Sequence, residues 1–224
     1  MQMQFSISLI ILLVTVLVSI AAFSNGRLKS DLVFYGPAIS IRRQWYRLWT
    51  HGFIHGDIAH LIFNMYAFYS FGNITEKIFS SECVFGERGP LMFLLLYLTA
   101  LPAASIPDLM KHKDDYHFSS LGASGAVSAV MLAMVVLIPN VPLGLLFIPI
   151  QIPGYIFAAL YLGVSYYLDK RGNSNINHGA HLWGAIYGLL FTIAFTMAMG
   201  HLDLIQNFKR QLGAPGGITF FSCD

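Results

Sequence analysis

The segment of residues 5–23 contains no charged side chain, and this feature constrains the fold more strongly than any other. Its 19 residues match the length that an α-helix needs to cross a hydrocarbon core of about 30 Å. No Lys or Arg precedes it and no small-residue cleavage site clearly follows, so we interpret it as a retained span and not a signal peptide. The whole chain is 56% hydrophobic and 11% charged, whereas soluble domains have roughly 25% charged residues. The sequence therefore predicts an integral membrane protein.

Further apolar segments predict five more helices, at residues 58–72, 90–106, 121–139, 153–168 and 181–200. Several are shorter than the usual span of about 20 residues, so we expect bilayer thinning or helix ends below the membrane surface. No repeat or second domain is evident. The prediction is one all-α domain over residues 1–224 with six transmembrane helices.

The long connection at residues 24–57 mixes basic residues with Trp45, Tyr46 and Trp49. This mixture is typical of the membrane interface, so we expect a partly embedded loop. An apolar, proline-broken connector is expected at residues 141–153, and a polar loop at residues 168–177.

Charge and cysteine content exclude some kinds of partner. The net charge is +2 and no basic cluster is present, which excludes a nucleic-acid partner. Cys83 and Cys223 are the two cysteines, and their separation indicates neither a metal site nor a disulfide framework.

Four polar residues occupy corresponding places in three predicted helices: His60 and Asn64 in the second, Ser124 in the fourth and His181 in the sixth. Even-numbered helices run in the same direction, so these residues should lie at one depth near one membrane face. Polar and ionisable residues inside a membrane usually face a bundle interior or a water-filled cavity. We therefore expect them to form a functional site.

Ser124 has the features of a nucleophile, since it lies in the sequence GASG at residues 122–125. A serine hydroxyl needs a base to take its proton, and a neutral imidazole is the usual one. His181 is the candidate base. Gly184 and Gly188 follow it at the spacing that allows close helix contact, which would bring the fourth and sixth helices together. Neither helix contains Asp or Glu, so we expect a dyad and not a triad.

An oxyanion hole is predicted around the same serine. The backbone N–H of Ser124, at a helix N-terminus, and the side chains of His60 and Asn64 are the candidate donors. Gly122 is placed with them because a glycine lets the backbone approach a substrate carbonyl.

A metal or haem site is the main competing interpretation, because His51, His55 and His60 follow one another closely and His178 precedes His181. No carboxylate or thiol is suitably placed to join them, and this interpretation leaves the glycines around the serine unexplained. We expect His51 and His55 to be hydrogen-bonded structural groups, and no cofactor or metal.

Taken together, these motifs resemble the rhomboid family of intramembrane serine proteases, from about residue 46 to about residue 188. The sequence "HGFIHGDIAHLIFN" matches the family's histidine and asparagine at His60 and Asn64, "GASG" matches its serine at Ser124, and "AHLWGAIYG" matches its histidine at His181.

The resemblance implies a six-helix rhomboid bundle with both termini cytoplasmic and a water-filled site below the outer face. A count of basic residues, four on the side of the termini and nine opposite, favours the reverse orientation, but the interfacial loop contributes five of the nine. The resemblance also implies hydrolysis of a peptide bond in or beside the transmembrane helix of single-span substrates, with a small residue before the cut. A bacterial plasma membrane is the simplest host membrane.

Two positions depart from the family pattern. The common Trp-Arg of the first loop is Tyr46-Arg47, and the tyrosine that many members place four residues after the nucleophile is Ser128, so the support of the His181 ring is not identified. A catalytically silent rhomboid-like protein that binds membrane clients is the alternative function, although such proteins typically lose the serine or histidine. The sequence does not indicate an oligomeric state.

Overall fold

The computed structural model describes residues 6–144, 150–172 and 176–213. The helices of this part are α1 (Ile7–Ser24), α2 (Gly26–Leu32), α3 (Gly36–Ser40), α4 (Arg47–Thr50), α5 (Ile58–Phe79), α6 (Gly89–His112), α7 (Ser124–Leu137), α8 (Gly154–Arg171), α9 (His178–Met199) and α10 (Leu204–Gly213). Two 3₁₀ turns, His51–Phe53 and Gly86–Arg88, precede α5 and α6. The predicted all-α class is confirmed.

Three helical stretches in the described part of the chain are long and apolar enough to cross a membrane: Ile7–Ser24, Gly86–His112 and His178–Met199. A shorter apolar helix, Ser124–Leu137, lies among them. The chain is therefore a membrane protein, and six spans stay a prediction.

Helix α5 continues to Phe79, beyond the predicted end at residue 72. The carboxylate of Glu76 accepts hydrogen bonds from Ser6 Oγ at 2.7 Å and from the N–H groups of Ile7 and Ser8 at 2.6 and 2.9 Å. A buried charge is tolerated when it is fully hydrogen-bonded. The N–H groups at the start of α1, which have no partner within the helix, fulfil that condition, so α5 continues through Glu76 with this carboxylate buried.

Helix α7 is the centre of the bundle, and nearly all of its residues are buried. It packs against α9 through small residues on both helices. A Cβ added at Gly184 would lie 2.1 Å from the carbonyl oxygen of Gly125, and one at Gly188 would lie 2.1 Å from that of Ala129. The predicted close approach of these two helices is confirmed.

The connection between α1 and α5 is a folded unit that Arg47 holds together. Its Nη1 donates to the carbonyl oxygens of Ser30 at 2.7 Å and Val33 at 2.8 Å, and its Nε donates to Gln44 Oε1 at 2.7 Å. Three aromatic side chains of this unit are exposed: Trp45, Tyr46 and Trp49. Its embedding in the membrane stays a prediction.

The predicted connector at residues 141–153 contains two short antiparallel strands, β1 (Pro142–Gly144) and β2 (Gln151–Pro153), in which Leu143 is opposite Ile152; residues 145–149 lie outside the described part. The polar loop before α9 starts later than predicted, because α8 continues to Arg171 and ends at Gly172 with a left-handed φ of 66°. Cys83 is buried and disulfide-bonded, which the spacing of the cysteines did not indicate. Cys223 lies outside the described residues.

Candidate active site

A cavity of about 1170 Å³ lies between the ends of the long helices, and every predicted site residue lines it. The members of that set are His60, Asn64, Gly122, Ser124 and His181. The N-terminal parts of α5, α7 and α9 and the turn before α7 supply them, so these residues meet at one cavity, and their common depth in the membrane stays a prediction.

Ser124 is the first residue of α7, directly after the N-cap Ala123, and it is half-buried. The N–H groups of a first helical turn have no partner within the helix, and they carry the positive end of the helix dipole. Ser124 therefore combines a hydroxyl with a backbone donor site at the cavity wall.

The start of α9 positions His181, and Asn177 is its N-cap. Asn177 Oδ1 accepts from the N–H of Ala180 at 2.9 Å, while its Nδ2 donates to Asp108 Oδ2 at 2.5 Å and to Ser120 Oγ at 3.0 Å. One amide side chain thus links α9 to α6 and to the segment before α7. This cap, four residues before His181, fixes the start of α9.

No hydrogen bond joins the Ser124 hydroxyl to His181 in the described part of the chain. Catalytic hydrogen bonds are often long before substrate binds and shorten in the complex. The two side chains line the same cavity. Because no hydrogen bond joins them in the described residues, the dyad stays a prediction.

His60 is oriented by two contacts at the start of α5. Its backbone N–H donates to the N-cap carboxylate Asp57 Oδ1 at 2.8 Å, and the N–H of Gly56 donates to His60 Nδ1 over a long 3.5 Å. An accepting Nδ1 leaves the ring proton on Nε2. Nε2 is close to Gly122, because a Cβ added there would lie 3.0 Å from it. His60 therefore has a donor beside the GASG turn.

Gly122 has a φ of +115°, a conformation that side chains other than glycine rarely adopt. Its own N–H donates to the carbonyl oxygen of His51 at 2.9 Å and is therefore already paired. Gly122 provides space for the His60 ring, and the free donors nearby belong to His60, Asn64 and Ser124. Asn64 Nδ2 donates one hydrogen to the carbonyl oxygen of His60 at 3.2 Å, which leaves a second one available.

His51 and His55 are hydrogen-bonded structural groups, as predicted. His51 Nε2 pairs with Ser105 Oγ at 2.8 Å, and His55 Nδ1 pairs with Ser19 Oγ at 2.9 Å. Burial lowers the pKa of His51 to about 4 and the pKa of His55 to about 3. Within the described ranges, no group of three or more His, Cys, Asp or Glu side chains could hold a metal ion.

The sequence interpretation missed several supporting residues. Asp57 and Asn177 each precede an apolar helix at the N-cap position, a signal that capping rules recognise. Tyr161 of α8 gave no such signal. Its ring stacks on that of His181, with centroids 6.3 Å apart and planes 18° apart, and its hydroxyl is 2.5 Å from Ser128 Oγ.

Comparison with known proteins gives consistent similarities. The family model of the Rhomboid domain matches residues 42–198. The chain is 33% identical over 151 residues to "RHOMBOID-like protein 12, mitochondrial" of Arabidopsis thaliana, covering 61% of this chain and 42% of that protein. It is 31% identical over 152 residues to "Rhomboid protease GluP" of Bacillus subtilis (strain 168), covering 67% and 26%. It is 28% identical over 145 residues to the human "Presenilin-associated rhomboid-like protein, mitochondrial", covering 62% and 35%.

The matched segment spans less than half the length of each of these relatives. Several relatives are named as mitochondrial and one comes from a bacterium. These names do not support the predicted bacterial plasma membrane.

Proposed function

Because this chain belongs to the rhomboid family, we propose that it is an intramembrane serine protease with Ser124 as nucleophile and His181 as base. One observation supports this assignment above the others: Ser124, His181, His60 and Asn64 line one cavity at the N-terminal ends of three helices. A set of membrane-embedded polar groups is expected to serve a function.

In the proposed reaction, His181 takes the Ser124 hydroxyl proton as Oγ bonds to the scissile carbonyl carbon. The proton then passes from His181 to the leaving nitrogen, the C–N bond breaks, and an acyl-enzyme remains. His181 next takes a proton from water as the water attacks the acyl carbon. Return of that proton to Ser124 Oγ frees the second product and restores the enzyme.

Negative charge on the carbonyl oxygen requires donors that are already in place. The proposed donors are His60 Nε2, the second Nδ2 hydrogen of Asn64 and the backbone N–H of Ser124. The Gly56 contact favours the His60 tautomer in which Nε2 carries the proton, and the α7 N-terminus adds a favourable dipole.

The proposed substrate is a peptide bond in or beside the transmembrane helix of a single-span membrane protein. Apolar side chains of α5 and α8 contribute to the cavity lining, among them Phe63, Ala67, Phe71 and Phe157. This lining suits a segment that arrives from the lipid phase. The substrate helix must unwind locally, because its carbonyls are otherwise engaged in i to i−4 hydrogen bonds. Helix-breaking residues in the substrate should therefore raise the rate.

The proposed membrane arrangement has six spans: α1, α5, α6, α7, α8 and α9. An even number places both termini on one side, and the N-terminal ends of α5, α7 and α9 then lie towards the opposite side. The exposed aromatic residues of the α1–α5 connection suit headgroup depth, so we place that connection in the interface of the same side.

The test is cleavage of single-span reporter proteins by the purified chain in lipid vesicles, with Ser124→Ala and His181→Ala as the critical variants. Ser119→Ala and His117→Ala are matched controls, because both residues line the same cavity and are exposed. We expect the wild type and both controls to cleave. Each critical variant should lose at least about 10³-fold in rate, the usual effect of removing a nucleophile or its base.

Equal cleavage by wild type and Ser124→Ala would reject the assignment. If no reporter is cleaved and a fluorophosphonate probe does not label Ser124, the client-binding alternative replaces the protease.

A further inference from the structure

The position that holds a tyrosine in many family members is Ser128 in this chain, yet the His181 ring still has an aromatic neighbour. That neighbour is Tyr161, whose ring is nearly parallel to the imidazole, with planes 18° apart and centroids 6.3 Å apart. Offset aromatic pairs favour centroid separations of 4.5 to 7 Å, so the contact is a stacking interaction. The ring comes from α8, a helix that carries neither of the proposed dyad residues.

The Tyr161 hydroxyl is hydrogen-bonded to Ser128. Ser128 Oγ donates to the carbonyl oxygen of Ser124 at 2.7 Å and lies 2.5 Å from Tyr161 Oη. A hydroxyl has one proton to donate. The hydroxyl proton of Ser128 is donated to the carbonyl oxygen of Ser124, so the Tyr161 hydroxyl donates its proton to Ser128 Oγ.

These two contacts form a chain from the first residue of α7 to the imidazole on α9. It runs from the Ser124 carbonyl through the Ser128 hydroxyl and the Tyr161 hydroxyl to the Tyr161 ring and then to His181. Ser128 is 3% exposed. Because the Ser128 side chain is small, the Tyr161 hydroxyl occupies space that a bulkier residue at position 128 would fill.

We infer that Tyr161 is a positioning residue, which holds the His181 ring at the angle and depth needed to reach Ser124. The inference rests on the proposed protease function, because it assigns a purpose to the orientation of His181. Ser128 acts through Tyr161 by fixing the hydroxyl end of the ring.

The experiment compares Tyr161→Leu and Tyr161→Phe with Tyr155→Leu. Tyr155 is on the same helix and does not line the cavity. Tyr161→Leu removes the stacked ring, so kcat should fall about tenfold, the effect expected from loss of one aromatic pair. The KM should change less than kcat, because Tyr161 stacks on the base, although its side chain also lines the cavity. Tyr161→Phe keeps the ring and should retain most of kcat, and Tyr155→Leu should match the wild type.

A second variant tests placement by rescue. Ser128→Tyr combined with Tyr161→Leu moves the aromatic ring from α8 to α7, into space that the substitution at Tyr161 vacates. Recovery of at least half of the lost kcat supports positioning, since a general packing defect would not be repaired by a second large change in a buried site. If the double variant shows no recovery and Tyr155→Leu loses as much kcat as Tyr161→Leu, the loss of kcat reflects destabilisation of α8. That result would overturn the inference.

An activity-independent measurement separates this inference from the protease assignment. Diethyl pyrocarbonate modifies exposed imidazole nitrogens, and peptide mass spectrometry reports the modification rate at His181. We expect Tyr161→Leu to raise that rate several-fold over both wild type and Tyr155→Leu. An unchanged rate, or a kcat for Tyr161→Leu equal to that of wild type, refutes the positioning role. Absence of both cleavage and fluorophosphonate labelling in the wild type refutes the protease assignment alone, since the modification rate still reports the contact.

Discussion

Substitution of Gly184 by Ala is the most direct test of how helix packing positions the proposed site. Gly184 is three residues after His181, and its close neighbour Gly125 directly follows Ser124. The contact between the two glycines therefore determines the separation of the two proposed catalytic residues.

The size of the effect follows from the contact distance. A Cβ at residue 184 would lie 2.1 Å from the carbonyl oxygen of Gly125, while ordinary contacts begin at 3.4 Å. The shortfall is about 1.3 Å, and because the opposing atom belongs to the backbone, no side chain can move aside. Overpacking of this kind costs about 1 to 3 kcal/mol. A 1 Å displacement at a reacting centre can lower the rate about 10²-fold.

The assay pairs thermal unfolding in detergent with cleavage of the reporter in vesicles. Gly163→Ala on α8 is the control, because no atom lies within 4 Å of its added Cβ; it should be as active as the wild type and at least as stable, since alanine favours a helix over glycine. Gly184→Ala should unfold several degrees lower and lose about 10²-fold in kcat. A Gly184→Ala protein with unchanged melting temperature and rate would refute the argument that this contact positions the dyad.

Two further predictions concern the connection between α1 and α5. Arg47→Ala should destabilise the protein by about 3 kcal/mol in thermal unfolding, because the buried guanidinium donates to two backbone carbonyls that would lose their partner. The exposed Arg43→Ala is the control, and equal melting temperatures for the two variants would contradict the prediction. Stability should also decrease as the pH drops below about 6.5. In the folded protein, the pKa values of His51 and His55 are lowered from 6.5 to about 4 and about 3. The unfolded chain therefore takes up protons at a higher pH than the folded chain does. The loss at pH 5 should be about 2 kcal/mol per histidine relative to pH 7.5, and a melting temperature that is the same at both values would show that these rings are not buried and neutral.

The convergence of the site could be predicted from sequence because it depends on local periodicity and helix direction. His60 and Asn64 are four residues apart, and helical geometry alone places them on one face. Gly184 and Gly188 have the same spacing, which predicted the contact with α7. Signals that repeat along a helix can be read without knowledge of its neighbours.

The supporting interactions could not be predicted because their partners are distant in sequence. Tyr161 and Ser128 are 33 positions apart, and Asn177 and Asp108 are 69 apart. The end of α5 was missed for a related reason. Glu76 is a charged residue that local rules place in a loop, and only its pairing with the α1 N-terminus, 68 to 70 positions away, makes its burial favourable.

The length of α7 bears on how Ser124, the proposed nucleophile, can lie within a membrane and still reach water. Its 14 residues extend about 21 Å at 1.5 Å per residue, whereas a hydrocarbon core is about 30 Å thick. The C-terminal end is held at Leu137, whose carbonyl accepts a hydrogen bond from Asn207 Nδ2 of α10 at 2.8 Å. Helix α10 carries the exposed Lys209, so we place it at the membrane surface. On this placement Ser124 lies about 9 Å below the opposite surface, and the polar cavity is its route to water. Under the proposed function, a substrate helix would meet Ser124 within its own outer turns, without leaving the bilayer.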